Sequence, residues 1–109
     1  MEIKQTVQRL AALAQENRLT VFRLLVQAGP VGMAAGRIAE ALSLAPATLS
    51  FHLKELTHAG LVQARQEGRF IFYFADFAAM NDLITILTEN CCGGEPCLPA
   101  CGPDCKEKS

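Results

Sequence analysis

Between residues 2 and 90 apolar positions recur with a helical period, broken at a few places by Gly, Pro and short polar runs. Ile3, Val7, Leu10 and Ala14 fall on one side of a helix over residues 2–14, which predicts an amphipathic element with one buried stripe. The run NRLTVFRLLVQAG (17–29) is apolar on most sides and predicts a central helix ending at Gly29–Pro30. A short helix follows over about residues 34–43, with Ile38 and Leu42 inward. SLAP (43–46) then interrupts the chain, and Pro46 suits the first turn of the next helix, where its missing N–H is not needed. That helix, about residues 46–59, buries Leu49, Leu53 and Leu56 and stops at Gly60. Two helices joined by so short a turn form the helix-turn-helix pattern.

The period then changes. LVQARQEGRFIFYF (61–74) holds two β-prone runs around RQEG, where Gly68 supplies the turn of a hairpin. Asp76 is the expected N-cap of a last helix carrying Phe77, Met80, Leu83, Ile84 and Leu87. It should end near Asn90, because Gly93, Gly94 and Pro96 forbid continuation. The expected fold is mainly α with a β-hairpin wing, a winged helix-turn-helix over residues 1–90, followed by a tail over residues 91–109.

A chain of 109 residues is long enough for one domain with a core of its own. Its net charge of −1 gives no global attraction to nucleic acid, so any basic surface must be local. No apolar run reaches the roughly 18 residues of a membrane span, so no membrane partner is expected. The start, MEIKQTVQRL, is amphipathic and charged, unlike a secretory signal, and the expected location is the cytoplasm. All five cysteines lie in NCCGGEPCLPACGPDC (90–105). Thiols in that compartment stay reduced, which points to metal binding, metalloid binding or redox sensing in place of a disulfide framework.

With Leu49, Leu53 and Leu56 inward, the outer face of the second helix of the pair carries Ala47, Thr48, Phe51, Lys54 and His58, with Ser50 at its edge. Proteins with this motif read base edges from such a face. Thr48 and Ser50 suit phosphates or bases, Lys54 suits a phosphate, and Phe51 suits a thymine methyl. Arg65 and Arg69 flank the hairpin turn, where a wing reaches backbone or minor groove. His52 sits between the two faces, as a base contact or as a hydrogen-bonded structural histidine. Periodicity is equally consistent with helix-turn-helix packing that binds no DNA.

The run ATLSFHLKELTHAGLVQARQEGRFIFYF (47–74) resembles the recognition helix and wing of the ArsR/SmtB family of metal-sensing repressors. The pattern T-x-S-x-H-L, then A-G-L-V, then R-x-x-G-R and an aromatic strand carries the resemblance, which extends over residues 2–90. It implies a homodimer that binds double-stranded DNA at an imperfect palindrome in its own promoter and leaves when a metal or metalloid arrives. The first and last helices are expected to build the dimer interface. On this resemblance the DNA-contacting set is Thr48, Ser50, Phe51, His52, Lys54, Arg65 and Arg69.

Departures from the family pattern narrow the sensor. Where some members carry a Cys-Val-Cys arsenite site, this sequence has Ala34 and Gly36. The family's zinc site between the terminal helices needs His, and residues 75–90 contain none. The tail remains. Trivalent arsenic is soft and forms three bonds to thiolates, and soft sulfur selects such ions. Cys91 and Cys92 supply two sulfurs, which converge only if the helix ends there. The GGEP link lets Cys97 return as a third, a choice the resemblance supports, since some arsenic-responsive relatives have a Cys-Cys pair and a later Cys past the last helix.

The expected inducer is As(III), with antimonite, Sb(III), or methylarsenite fitting the same thiols. Cys101 and Cys105 are extra or replacement ligands. Two rivals remain: a zinc or related soft-metal site of four cysteines, and a thiol–disulfide redox sensor. An enzyme is not expected, because a phosphatase-like arsenate reductase needs an Arg after its Cys loop and no Arg follows Arg69.

Overall fold

In the computed structural model, which describes residues 2–90 and Gly93, the chain runs α1 (Ile3–Leu13), α2 (Glu16–Ala28), β1 (Met33–Ala34), α3 (Ala35–Leu42), α4 (Pro46–His58), β2 (Val62–Glu67), β3 (Phe70–Ala75) and α5 (Phe77–Thr88). The tail thiols Cys91, Cys92, Cys97, Cys101 and Cys105 lie outside the described residues.

Helix boundaries follow local chemistry. The Gln15 side chain caps α2 by accepting from the Arg18 N–H at 2.8 Å, and α2 ends at Gly29, whose N–H still donates to the Leu25 and Val26 carbonyls while its φ of +80° turns the chain out of the helix. At the end of α3, Ser43 takes the left-handed conformation, φ 54°. There the Leu44 N–H donates to Ala39 and the Ser43 N–H to Glu40, a Schellman exit with Ser where Gly is usual. Three residues later Pro46 opens α4 as expected. Asp76 caps α5 by accepting from the Ala79 N–H at 3.0 Å, while its own N–H donates to the Leu61 carbonyl at 2.8 Å. The start of α5 is thereby pinned to the segment that leaves α4.

The core gathers Val21, Phe22 and Leu25 of α2, Ile38 of α3, Leu49, Leu53 and Leu56 of α4, then Leu61, Val62, Ala75 and Ala79. Helix α2 is central, as its apolar surface predicts. Each fully buried side chain of Leu size contributes about 1.5–3 kcal/mol of transfer free energy, and this core fixes the angle between α3 and α4.

Three details differ from the sequence reading. A two-residue strand, β1, pairs with β3 through Met33↔Tyr73 and Ala34↔Phe72, giving a sheet ordered β1-β3-β2. So short an element carries no periodic signal. Second, Glu67 pairs with Phe70, so most of RQEG belongs to the strand and only Gly68–Arg69 form the loop. Gly68 at φ +63° in the first loop position matches a II′ hairpin.

The third difference concerns α1. Its expected buried stripe is uncovered, with Ile3, Val7 and Leu10 exposed to 69%, 57% and 38%. The side chain that α1 buries best is Thr6, whose hydroxyl donates to the Glu2 carbonyl at 2.9 Å, and Ala12 and Leu13 pack against the core. Helix α5 behaves alike: Ala79 and Leu83 face inward, while Ile84 and Leu87 are exposed to 51% and 61%. Helical periodicity identifies an apolar face but not whether its cover comes from the same chain or from another.

Candidate nucleic-acid interface

Helix α4 presents two faces that its sequence assigns at helical spacing. Leu49, His52, Leu53 and Leu56 are buried, and Ala47, Thr48, Ser50, Phe51, Lys54 and His58 are exposed. Phe51 leaves 54% of its surface in water, a cost that contact with another molecule would remove. The N-cap, Ala45, makes no side-chain bond to the first turn, so backbone N–H groups there are available to an anion. Thr48 and Ser50 stand beside that end.

His52 lies elsewhere than among the surface candidates. Positions 49, 52, 53 and 56 form one stripe, so His52 turns into the protein and keeps 6% exposure. Its ring meets Phe51 edge-on at 5.6 Å between centroids, and Nδ1 has no hydrogen-bond partner among the described residues. Burial, followed by the charge of Arg18, holds its pKa below the ordinary 6.5, so it is neutral at pH 7. Its burial places it on the inward side of α4 and away from the exposed face that carries Thr48, Phe51 and Lys54, the position of a structural histidine, although Nδ1 is unpartnered among the described residues.

The two hairpin arginines also separate. The Arg65 guanidinium pairs with Glu67 at 2.7 Å, donates to the Val31 carbonyl at 2.9 Å and lies over the rings of Phe72 and Phe74 at 5.7 and 5.4 Å. An exposed ion pair alone contributes under about 1 kcal/mol. Together these contacts tie the hairpin to the loop before β1, so Arg65 orients the wing. Arg69 is exposed in the hairpin loop, where a wing meets DNA.

Between α4 and the hairpin runs an open groove lined by Ser50, Lys54, Thr57, His58, Ala64 and Tyr73. Thr57 and Tyr73 were not among the sequence candidates. Thr57 was legible three residues beyond Lys54 on the same helix face, whereas Tyr73 becomes a groove residue only once the strand register is known. Among the described residues, no group of three or more His, Cys, Asp or Glu side chains is arranged to hold a metal ion.

A buried two-helix unit with an exposed reading face, followed by a hairpin, defines a winged helix-turn-helix of the nucleic-acid-binding kind. A family model described as a helix-turn-helix domain matches residues 13–63. The uncharacterized helix-turn-helix-type transcriptional regulator MJ1325 of Methanocaldococcus jannaschii is 32% identical over 78 residues, covering 72% of this chain and 85% of the relative. The transcriptional activator HlyU of Vibrio cholerae is 31% identical, over 72% of this chain and 69% of its own.

Among solved structures, an ArsR-like regulator from Rhodococcus sp. RHA1 superposes with a TM-score of 0.69 at 28% identity, over 77% of this chain and 76% of its own. The homodimeric winged helix-turn-helix domain of Mb0332 from Mycobacterium bovis gives 0.64 at 32%, over 81% and 82%. A structure described as a possible transcriptional regulator for arsenical resistance gives 0.63 at 28%, over 73% and 80%. The chain belongs to the helix-turn-helix transcriptional regulators of the ArsR and HlyU type, and is a DNA-binding regulator. None of its described helices is long and apolar enough to cross a membrane.

Proposed function

We propose that this regulator is a homodimeric repressor that pairs through the exposed faces of α1 and α5. It reads a palindromic operator with the outer face of α4 and leaves it when trivalent arsenic binds Cys91, Cys92 and Cys97. One observation carries the reading. Ile84 and Leu87, exposed large apolar residues of α5, lie in its last turns, and in sequence the Cys91–Cys92 pair comes just after that helix, beyond Glu89 and Asn90. Drawing the thiols together acts on the helix that pairs the protomers.

The donor set suits the ligand, because trivalent arsenic supplies three bonds to soft sulfur when bound. Cys91 and Cys92 would hold it with Cys97, leaving Cys101 and Cys105 as spare thiols. Within the folded body, Thr48, Ser50, Phe51 and Lys54 meet the major groove, and Arg69 meets the flanking backbone. Two recognition helices must lie about 34–36 Å apart to enter successive grooves, so a small rotation between protomers misaligns them. A coupling of about 1–3 kcal/mol weakens DNA binding 5–150-fold. The homodimeric and arsenical-resistance relatives support this reading.

The test is fluorescence anisotropy of the reduced protein on labelled duplex DNA from upstream of its own gene, titrated with arsenite and, separately, with zinc. Near-stoichiometric release by arsenite, with zinc inert, is the expected result. Cys91→Ser should bind the same DNA and lose the response, and retained release in that variant would refute the thiol assignment. Because HlyU is named an activator, a promoter fusion fixes the sign: expression should rise with arsenite and with deletion of the regulator.

A further inference from the structure

One side chain joins the face proposed for dimerisation to the helix that reads DNA. Arg9 projects from α1 and its Nε donates to the Ala59 carbonyl at 3.1 Å, across 50 positions of sequence. Ala59 is the C-cap of α4, and a cation there also meets the negative end of the helix dipole. The next residue, Gly60, has φ +80°, and a Cβ on it would stand 3.1 Å from Arg9 Nη2. The guanidinium therefore packs closely against this turn, where the positive φ favours glycine and a Cβ would push the Arg9 side chain back by a few tenths of an ångström.

Arg9 also faces α5. The Asp76 carboxyl is held below its ordinary pKa first by the Ala79 N–H, then by the Gln63 amide, with the charge of Arg9 adding to both against the opposing effect of burial. Helix α1 is anchored in turn, since Arg18 Nε donates to the Ala12 carbonyl at 2.8 Å. One guanidinium thus bonds the end of α4 and packs against the glycine after it, and its charge reaches the cap of α5.

We propose that Arg9 is a positioning residue that fixes the C-terminal end of the recognition helix to the α1–α5 scaffold, and so sets the angle at which Thr48, Ser50 and Phe51 meet DNA. Helix α4 has 13 residues and is about 20 Å long at 1.5 Å per residue. Thr48, Ser50 and Phe51 lie in its N-terminal half, 8–11 positions before Ala59. A tilt of the anchored end is therefore carried along the whole lever to the DNA. The inference rests on the proposed use of the α1–α5 face as the dimer interface.

The experiment compares wild type, Arg9→Gln, Arg9→Lys and the core variant Leu25→Val, which lies away from this junction. The probe is a labelled duplex selected by the wild-type protein from a random-sequence pool, so it does not depend on the promoter assignment. Arg9→Gln should bind about tenfold more weakly or worse, the scale of a lost charged hydrogen bond. Its dimer dissociation constant and its dependence of affinity on salt should match wild type, because Arg9 touches no phosphate. Arg9→Lys, which keeps the charge, should recover part of the loss. Leu25→Val should lower the melting temperature without lowering affinity at 25 °C.

Affinity of Arg9→Gln within threefold of wild type would overturn the inference. So would a salt slope reduced by about one, which marks a direct phosphate contact. A fall in affinity matched by Leu25→Val at equal loss of melting temperature would overturn it as well, by reducing the effect to stability. A wild-type protein that sediments as a monomer refutes the dimer reading instead, and leaves Arg9 to be judged on the affinities alone.

Discussion

Replacing Val7 with Asp tests whether the uncovered faces of α1 and α5 meet in a dimer. Val7 lies between Ile3 and Leu10 on the exposed stripe and shows 57% of its surface. Full burial of a side chain of this kind is worth about 1.5–3 kcal/mol, so covering what remains exposed is worth about 1 kcal/mol per protomer. In a symmetric pair the loss counts twice. The substitution also sets two carboxylates into an apolar seam, and each ion taken fully from water costs several kcal/mol even after relaxation. With the lost apolar contact the cost is at least about 4 kcal/mol, which weakens the dimer a thousandfold or more.

The protomer itself should survive Val7→Asp, because Val7 does not belong to the core and Val and Asp have nearly the same helix propensity. Sedimentation velocity at micromolar protein reads the dimer directly, and thermal unfolding at two concentrations reads it independently. The wild-type melting temperature should rise with concentration, and that of the variant should not. DNA affinity should fall with it, since a lone protomer offers one recognition helix to a two-fold operator. A variant that folds and keeps a dissociation constant within threefold of wild type would show that α1 is not the interface.

On the reading face, Phe51→Ala should weaken operator binding about tenfold with an unchanged salt slope, whereas Lys54→Gln should lower the slope by about one; equal slopes in wild type and Lys54→Gln would remove Lys54 from the phosphate contacts. Stability should fall on acidification: unfolded His52 takes a proton below about pH 6.5 while the native ring resists it, so the neutral ring's contribution is intact above pH 6.5 and lost as pH drops toward the lower native value. Urea unfolding from pH 7.5 to 5 reads this slope, which should flatten in His52→Leu. Gly32→Ala should cost about 2–4 kcal/mol by the same assay, because φ is +74° and the new Cβ would stand 2.4 Å from the Tyr73 carbonyl oxygen; a loss under about 0.5 kcal/mol would contradict that close approach.

The elements that were legible in the sequence are those whose signals agree at several levels. Pro46 at the start of α4, Gly29 after α2 and Asp76 before α5 mark boundaries by backbone chemistry, and the apolar period between them supplies the inward face. Strand β1 escaped because two residues cannot show a period and because its pairing partner, β3, lies 38 or more positions further on. Position 52 was ambiguous for a related reason. A histidine between two faces follows whichever side the neighbouring packing leaves open, and here Leu49 and Leu56 draw it inward although its Nδ1 then finds no hydrogen-bond partner among the described residues.

The candidate site was readable where function and local structure coincide, and obscure where function depends on packing. Thr48, Ser50, Phe51 and Lys54 are exposed because their spacing against Leu49, Leu53 and Leu56 demands it. Arg65 and Arg69 look equivalent as sequence, yet strand pairing sets Arg65 directly opposite Phe72, within reach of Val31 and Glu67, and leaves Arg69 in the loop. Arg9 gives no signal at all beside its neighbours on α1, since a cation on an amphipathic helix is ordinarily a solvated one. Its partner is a backbone carbonyl, Ala59, which has no sequence signature. With dimer contacts proposed on α1 and α5 and DNA contacts on α4, a rigid link is needed between them, and such links are made of backbone caps and close approaches. They become visible only when helices distant in sequence are brought together, as α1 and the end of α4 are here.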